Sequence, residues 1–241
     1  MNENLCYTDA YARQTDAVVV EVDPEARAVL LDRTVFYPGG GGQPADTGQL
    51  IGESGGSWWI IGAKNRANDI WHTMDEGAEL PVVGTRVTAE IDWERRHRLM
   101  RTHSALHVLC GVVWRDHQAL VTGGNMEPLS GRMDFEFATI SGDLVGEIEA
   151  RVNEEIAADR EIRVNVLPRE EAFAIPDLIR TKINLLPEGI AEIRTIEIVG
   201  LDLQADGGTH VAHTGEIGRV SVTGYESKGR INKRIRIAVA D

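Results

Sequence analysis

The sequence predicts an α+β protein: a small β-barrel-like domain over residues 1–92, then an α+β domain over 93–241 with an antiparallel sheet and two main helices. Three observations carry this. Before Asp92, short runs rich in β-branched and aromatic residues recur with turns roughly every 8–12 residues, the pattern of a small barrel or folded sheet. After Trp93 the apolar spacing lengthens to a helical period of about 3.6. Beyond that helix, runs of strand character alternate with a second amphipathic segment, as in antiparallel sheets with helices packed on them.

The elements follow in order. "AVVVEV" (17–22) and "RAVLL" (27–31) read as two strands around the turn "DPEA". Gly39–Gly42 must be loop, because glycine loses more backbone freedom on ordering than any other residue. A short strand near Gln49–Ile51 follows, then "SWWIIGAK", "DIWHTM" and "TRVTAEID". In "DWERRHRLMRTHSALHVLCGVVWRD", Leu99, Leu106, Leu109, Val112 and Val113 keep helical spacing, and Asp92 can cap the start. Residues 122–131, rich in Gly and Asn, read as a loop, and "RMDFEFA" as a strand. Leu144, Ile148, Val152 and Ile156, four apart, mark the second helix. "REIRVNVLP" is a strand and "REEAFAIP" a short helix. "IRTIEIVGLDL", "GRVSVTGYES" and "NKRIRIAVA" complete the strands.

Composition narrows the function classes. The 241 residues are 42% hydrophobic and 26% charged, ordinary for a globular chain. No run approaches the roughly 18 apolar residues of a membrane-crossing helix. "MNENLCYTDAYARQTD" lacks a basic region followed by an apolar one, so no leader is expected and the reading is cytoplasmic, with no membrane partner and no obligate protein partner. Cys6 and Cys110 have no partner at metal-ligand spacing, so no disulfide framework is expected. A net charge of −13 opposes nucleic-acid binding at first sight. The basic residues are clustered, however. "ERRHRLMR" holds Arg95, Arg96, Arg98 and Arg101, and "KGRINKRIR" holds Lys228, Arg230, Lys233 and Arg234 without an acidic residue. Such local patches can hold a phosphate backbone, or they can be solvated faces.

The chemistry concentrates in two short motifs. His103 and His107 are four apart on the first helix, which puts both imidazoles on one face. Two histidines at a helix–sheet contact would show the same spacing. Asp206 and His210, also four apart, bracket Gly207-Gly208, whose flexible backbone lets both side chains aim at one point. Together they offer three nitrogens and one oxygen, all good zinc ligands. His213 is a spare candidate. His72, His97 and His117 fit no cluster and read as surface or structural residues.

"RLMRTHSALHVL" with "DLQADGGTHVAHTGEIG" resembles the paired signature of the alanyl-tRNA editing domain, found in alanyl-tRNA synthetases and in the free-standing AlaX proteins, with a relative in threonyl-tRNA synthetases. "FYPGGGGQPADTG" resembles the glycine-rich motif of the small domain that precedes it, and "RMDFEF" and "GRINKRIRI" fit as well. The likeness spans nearly the whole chain and matches the medium-length, two-domain AlaX type. It implies an aminoacyl-tRNA deacylase that clears serine, or glycine, from mischarged tRNA(Ala), with the acceptor end as partner. It also implies a zinc ion (Zn2+) held by His103, His107, Asp206 and His210. One position departs: where the family has a cysteine this chain has Asp206, and aspartate, a harder ligand than thiolate, puts zinc occupancy in question. Serine is distinguished by a group that hydrogen-bonds its hydroxyl. Thr34, Thr102, Ser104 and Thr209 are candidates, and Gly39, Gly40, Gly41, Gly42 and Gln43 lie in the loop that would admit the aminoacyl end. The same ligands would also serve a hydrolase of another small ester or amide, or persist in an RNA-binding module with a degenerate site.

Overall fold

The computed structural model describes residues 2–77, 79–182 and 189–241. The chain divides into two compact units, Met1–His97 and Arg98–Asp241.

The first unit holds β1 (Glu3–Asn4), β2 (Gln14–Asp23), β3 (Ala28–Leu31), β4 (Arg33–Thr34), β5 (Gly48–Gly52), β6 (Ser57–Arg66), β7 (Asp69–Met74) and β8 (Arg86–Ile91). Six of these close into a barrel in the order β2-β3-β7-β6-β5-β8. Closure comes from β8, which pairs antiparallel with both β2 and β5. Val19, Leu31, Leu50, Ile60, Ile70 and Val87 fill the interior. Alternation along β7, with Ile70, His72 and Met74 inward, shows the period of two that one buried face requires.

The glycine run lies in a loop whose two ends are tied together. Asp46 accepts from the Tyr37 amide at 2.6 Å and returns its own amide to the Tyr37 carbonyl at 3.0 Å. Gly40 and Gln43 exchange main-chain hydrogen bonds across the tip. Gly39 to Gly42 have φ values of 80°, 138°, 57° and 90°, a left-handed path that side chains other than glycine's oppose. The fully buried Arg96 guanidinium underpins this base. It pairs with Asp46 and donates to the Val35 carbonyl at 2.7 Å and the Ala10 carbonyl at 3.0 Å.

The second unit is built on helix α1 (Trp93–His117), which begins in the first. Asp92 caps it by accepting from the Arg95 amide at 3.1 Å. Every residue from Thr102 to Val113 is buried, so the helix is a core helix and not a surface stripe. It continues through Gly111, where a Cβ would stand 2.9 Å from that of Asp202. The remaining elements are β9 (Val121–Glu127), β10 (Ser130–Glu136), α2 (Gly142–Ala157), β11 (Ile162–Pro168), α3 (Arg169–Ala174), β12 (Glu192–Ile198), β13 (Asp202–Ala205), β14 (Val220–Ser227) and β15 (Asn232–Val239). They form two antiparallel sheets, β14-β15-β10-β9 and β11-β12-β13. Ser141 caps α2 through the Leu144 amide, and Val145, Ile148, Val152 and Ile156 form its buried face.

Two expectations from the sequence need correction. Much of the segment read as a loop at 122–131 is strand β9, with Gly123 and Gly124 paired to Asp134 and Met133. The ladder with β10 supplies the hydrogen bonds that glycine's weak strand propensity does not encourage. The single strand expected in "IRTIEIVGLDL" is two, β12 and β13, folded back at Gly200, whose φ is 78°.

Candidate metal centre

Helix α1 and the loop after β13 bring His103, His107, Asp206 and His210 together. One donor atom from each lies within 4.8 Å of every other. His103 Nε2 is 3.6 Å and His107 Nε2 4.0 Å from Asp206 Oδ1, and His210 Nε2 is 3.2 Å from Oδ2. Tetrahedral zinc with bonds of about 2.0–2.1 Å sets its donors about 3.3 Å apart, so this spacing needs little adjustment to close on one ion. The imidazole rings of His103 and His210 stack at 4.2 Å, and His107 meets His210 edge-on at 4.6 Å.

The surrounding residues orient the ligands. Ser104 Oγ lies 3.1 Å from His210 Nδ1 and accepts from the Val211 amide at 3.2 Å. With Nε2 turned to the shared point, Nδ1–H is left to donate to Ser104 Oγ, the outer-shell bond that fixes a ligating histidine's tautomer. The His103 ring is bonded to the Thr209 backbone. Asp206 Oδ2 accepts from the Gly208 amide at 2.5 Å, an Asx turn that shapes the loop. Arg194 on β12 donates from Nη1 to the Asp206 carbonyl at 3.0 Å, and its own carbonyl accepts from the Asp206 amide at 3.1 Å.

The charge state suits a cation. Burial pushes the His107 imidazole down to about 4, and the same desolvation lowers His103 and His210. For Asp206, burial works upward but is outweighed by His103 and the His210 hydrogen bond, and the carboxyl falls well below its ordinary range. Neutral rings around an ionised carboxylate are the protonation state that metal ligation requires.

The other candidate residues are placed as follows. Thr34 is fully buried in the first unit. Its hydroxyl is 2.7 Å from His72 Nε2 and accepts from the Phe36 amide at 3.0 Å. Thr102 is buried and bonds back to the Arg98 carbonyl, and Thr209 is buried. Gln43 is buried at the loop tip. Most of the basic residues have intramolecular partners. Arg98 pairs with Asp241, Arg234 with Asp134, Lys228 with Glu226, and Arg101 bonds to the Ile217 and Ala240 carbonyls. Arg95 donates to the Ala45 carbonyl. Arg96 and Lys233 are inside the protein, and this corrects their reading as phosphate contacts: an acidic chain has drawn them into its own carboxylate and carbonyl groups. Arg230 is exposed. Arg194 was not foreseen; its signal was an arginine within the β-branched run "IRTIEI".

The chain thus joins a closed barrel to an α+β unit that holds a largely enclosed cluster of three histidines and one aspartate. Residues 7–95 match the family described as tRNA synthetases class II (A), and residues 193–236 match the threonyl and alanyl tRNA synthetase second additional domain. The alanyl-tRNA editing protein AlaX-M of Saccharolobus solfataricus is 38% identical over 240 residues, covering 99% of each chain. That of Methanosarcina mazei is 35% identical over 246 residues, covering 100% of this chain and 98% of its own. The alanine–tRNA ligase of Pyrobaculum calidifontis is 35% identical across 90% of this chain but only 24% of its own length. The chain belongs to the AlaX-M family of alanyl-tRNA editing proteins. Among the described residues, no helix is long and apolar enough to cross a membrane.

Proposed function

We propose that this protein is an aminoacyl-tRNA deacylase of the cytoplasm, which hydrolyses the ester of tRNA(Ala) mischarged with serine and, secondarily, glycine. The observation that carries the reading is the convergence of four donors, two from a helix and two from a loop about a hundred residues later, within 4.8 Å of one another. The donor set fits zinc in number, spacing and protonation state. His103, His107, Asp206 and His210 would hold the ion, which when bound supplies Lewis-acid activation of the ester carbonyl or of water.

The chain's own residues supply the rest. Ser104 and the Thr209 backbone fix the imidazole planes, so the reacting groups meet a preorganised site. The Asp206 side chain is the least enclosed of the four, at 11% exposure, and in this reading it faces the incoming ester. In the alternative in which Asp206 is held loosely and is not a ligand, its carboxylate would instead be the group that takes a proton from attacking water. Thr102 and Thr209, beside the ligands, and Thr34 are the hydroxyl candidates for reading the serine side chain. Gly39 to Gly42 and Gln43 offer main-chain groups to the acceptor end. Arg95, Arg98, Arg101, Lys228, Arg230 and Arg234 remain the phosphate candidates, with Lys228 and Arg230 the exposed ones.

The test is hydrolysis of seryl- and alanyl-tRNA(Ala) with metal analysis of the same preparations. Wild type should clear the seryl ester selectively. His103→Ala should lose more than about a hundredfold in activity, beyond what loss of an outer-shell partner costs. Asp206→Cys should raise zinc content, because thiolate is the softer ligand. A wild type that clears neither ester faster than buffer rules out the editing reading. Unchanged zinc in Asp206→Cys removes Asp206 from the ligand set.

A further inference from the structure

We propose that Val164 and Val166 on β11 form the subsite that receives the base of the substrate's terminal adenosine, as an apolar ledge bordering the loop that carries Asp206 and His210. This assignment rests on the deacylase reading above and gives it a surface for the nucleoside beyond the scissile ester.

The register of one sheet puts the ledge there. Val166 pairs with Arg194, and Val164 with Ile196, which pairs in turn with Gln204. The Asp206 amide bonds to the Arg194 carbonyl, one residue beyond the Thr195–Ala205 pair. Paired residues point the same way, and so do alternate residues along a strand. Val164, Val166, Ile196, Gln204 and Asp206 therefore share a face. It is the face that α1 covers: Asp206 meets His103 and His107 there, and Asp202 lies against Gly111. The opposite face packs on Ala172 of α3 and on Leu178. The loop that leaves β13 at Asp206 crosses to the outer edge of β11, where the Ala212 carbonyl accepts from the Ile162 amide at 2.8 Å. Val164 and Val166 follow that anchor along the strand, on the same face.

The ledge is apolar and open. Val164 is 42% and Val166 54% exposed, although Ile162, Ile196 and Ile198 on the same face are buried. β11 is an edge strand of its sheet, held on its outer side at Glu161 and Ile162 by His213 and Ala212. Exposed apolar surface next to a polar centre marks a place where a ligand's own apolar surface is covered. Distance selects the part of the ligand. Val166 and Asp206 lie in one row across three strands, so two strand spacings, about 10 Å, separate them. An aminoacyl ester hangs from a ribose hydroxyl, and the group that reaches this far from the ester carbonyl is the base on the same ribose. An unpaired terminal base offers a flat apolar face without a duplex to open. Two β-branched side chains give it a stiff surface with little rotamer freedom to lose. The serine side chain, small and polar, gains nothing from two valines.

A cycle of side-chain and substrate changes tests this on seryl-tRNA(Ala). Val164→Ala with Val166→Ala trims the ledge, and a second substrate carries the seryl ester on a terminal ribose that lacks its base. The Ala pair should raise KM for the intact substrate about 3- to 10-fold, with kcat and zinc content little changed. Removing the base should raise the wild-type KM at least as much. On that substrate the Ala pair should add nothing further, because the contact is already gone. Val164→Ile with Val166→Ile keeps an apolar ledge and should hold KM for the intact substrate at or below the wild-type value, which separates lost contact from a damaged fold. Unchanged KM in the Ala pair, or effects of side chains and base that multiply, overturn this proposal alone. So does a wild type that sediments as a dimer where the Ala pair is a monomer, since the edge then belongs to an interface between copies. A wild type that leaves the seryl ester intact overturns the deacylase reading and this proposal together.

Discussion

Ser104 shows how much one hydroxyl can carry at this site. It serves His210 Nδ1 and the Val211 amide together, and it is fully buried. Ser104→Ala leaves two buried polar groups without a partner, at about 1–3 kcal/mol each. It also frees the His210 ring to rotate. Zinc affinity should fall about 10- to 100-fold, as read by chelator competition, and thermal unfolding should shift downward. Unchanged affinity would mean that the ring is held by packing alone. At this scale the sequence was most legible where spacing encodes direction. His103 and His107 sit one helical turn apart, and Asp206 and His210 bracket two glycines. The fates of Arg96 and Lys233 were not legible, because a run of basic residues does not reveal which carboxylates and carbonyls will fold against it.

Among the elements, the loop from Tyr37 to Asp46 depends on a single buried ion pair. Arg96 and Asp46 are 0% and 1% exposed, and the carboxylate also takes the Tyr37 amide. Removing one partner strands the other's charge in the interior. Asp46→Ala should therefore cost about 3–5 kcal/mol, seen as a lower denaturant midpoint. A double replacement, Asp46→Leu with Arg96→Met, should recover much of that loss, since neither charge is then stranded. The barrel strands and both main helices were readable because period and caps agree with the tertiary structure. Strand β9 was not: its glycines carry a loop signature, and only pairing with β10, distant information for a local reading, makes them a strand. The fold-back at Gly200 hid inside an apolar run for the same reason.

At the scale of the whole molecule, acid stability depends on the buried histidines, and one of them, His72, lies far in sequence from the cluster. His72 sits in the barrel with Nδ1 3.2 Å from the Val29 carbonyl and Nε2 2.7 Å from Thr34 Oγ1. A carbonyl can only accept, so Nδ1 carries the proton and Nε2 takes the Thr34 hydroxyl's hydrogen. This arrangement holds only for the neutral ring, and burial pushes its pKa down to about 4. The unfolded chain, with an ordinary value of about 6.5, takes up the proton first. The stabilisation is therefore complete above pH 6.5 and is lost as pH falls toward 4. Between pH 7 and pH 5 the share of the loss due to His72 should be about 2 kcal/mol, measurable as a falling urea midpoint. His72→Gln should make that fall shallower by about the same 2 kcal/mol, leaving the share carried by the buried His103, His107 and His210, while lowering stability at pH 7. A wild-type midpoint that does not move between the two pH values would contradict the assignment.

The donor set has one more consequence, for life under oxidative stress. Three imidazole nitrogens and a carboxylate oxygen contain no sulfur, so the ladder from sulfenic to sulfonic acid has no first rung at this centre. The two cysteines lie elsewhere and are buried, and burial pushes the Cys110 thiol far above its usual range, where little reactive thiolate exists. Hydrogen peroxide or an alkylating reagent should leave both metal content and deacylation unchanged in the native protein. The same treatment of Asp206→Cys should release the metal and abolish turnover. Zinc lost from the native protein under peroxide would show that a sulfur group supports the site after all.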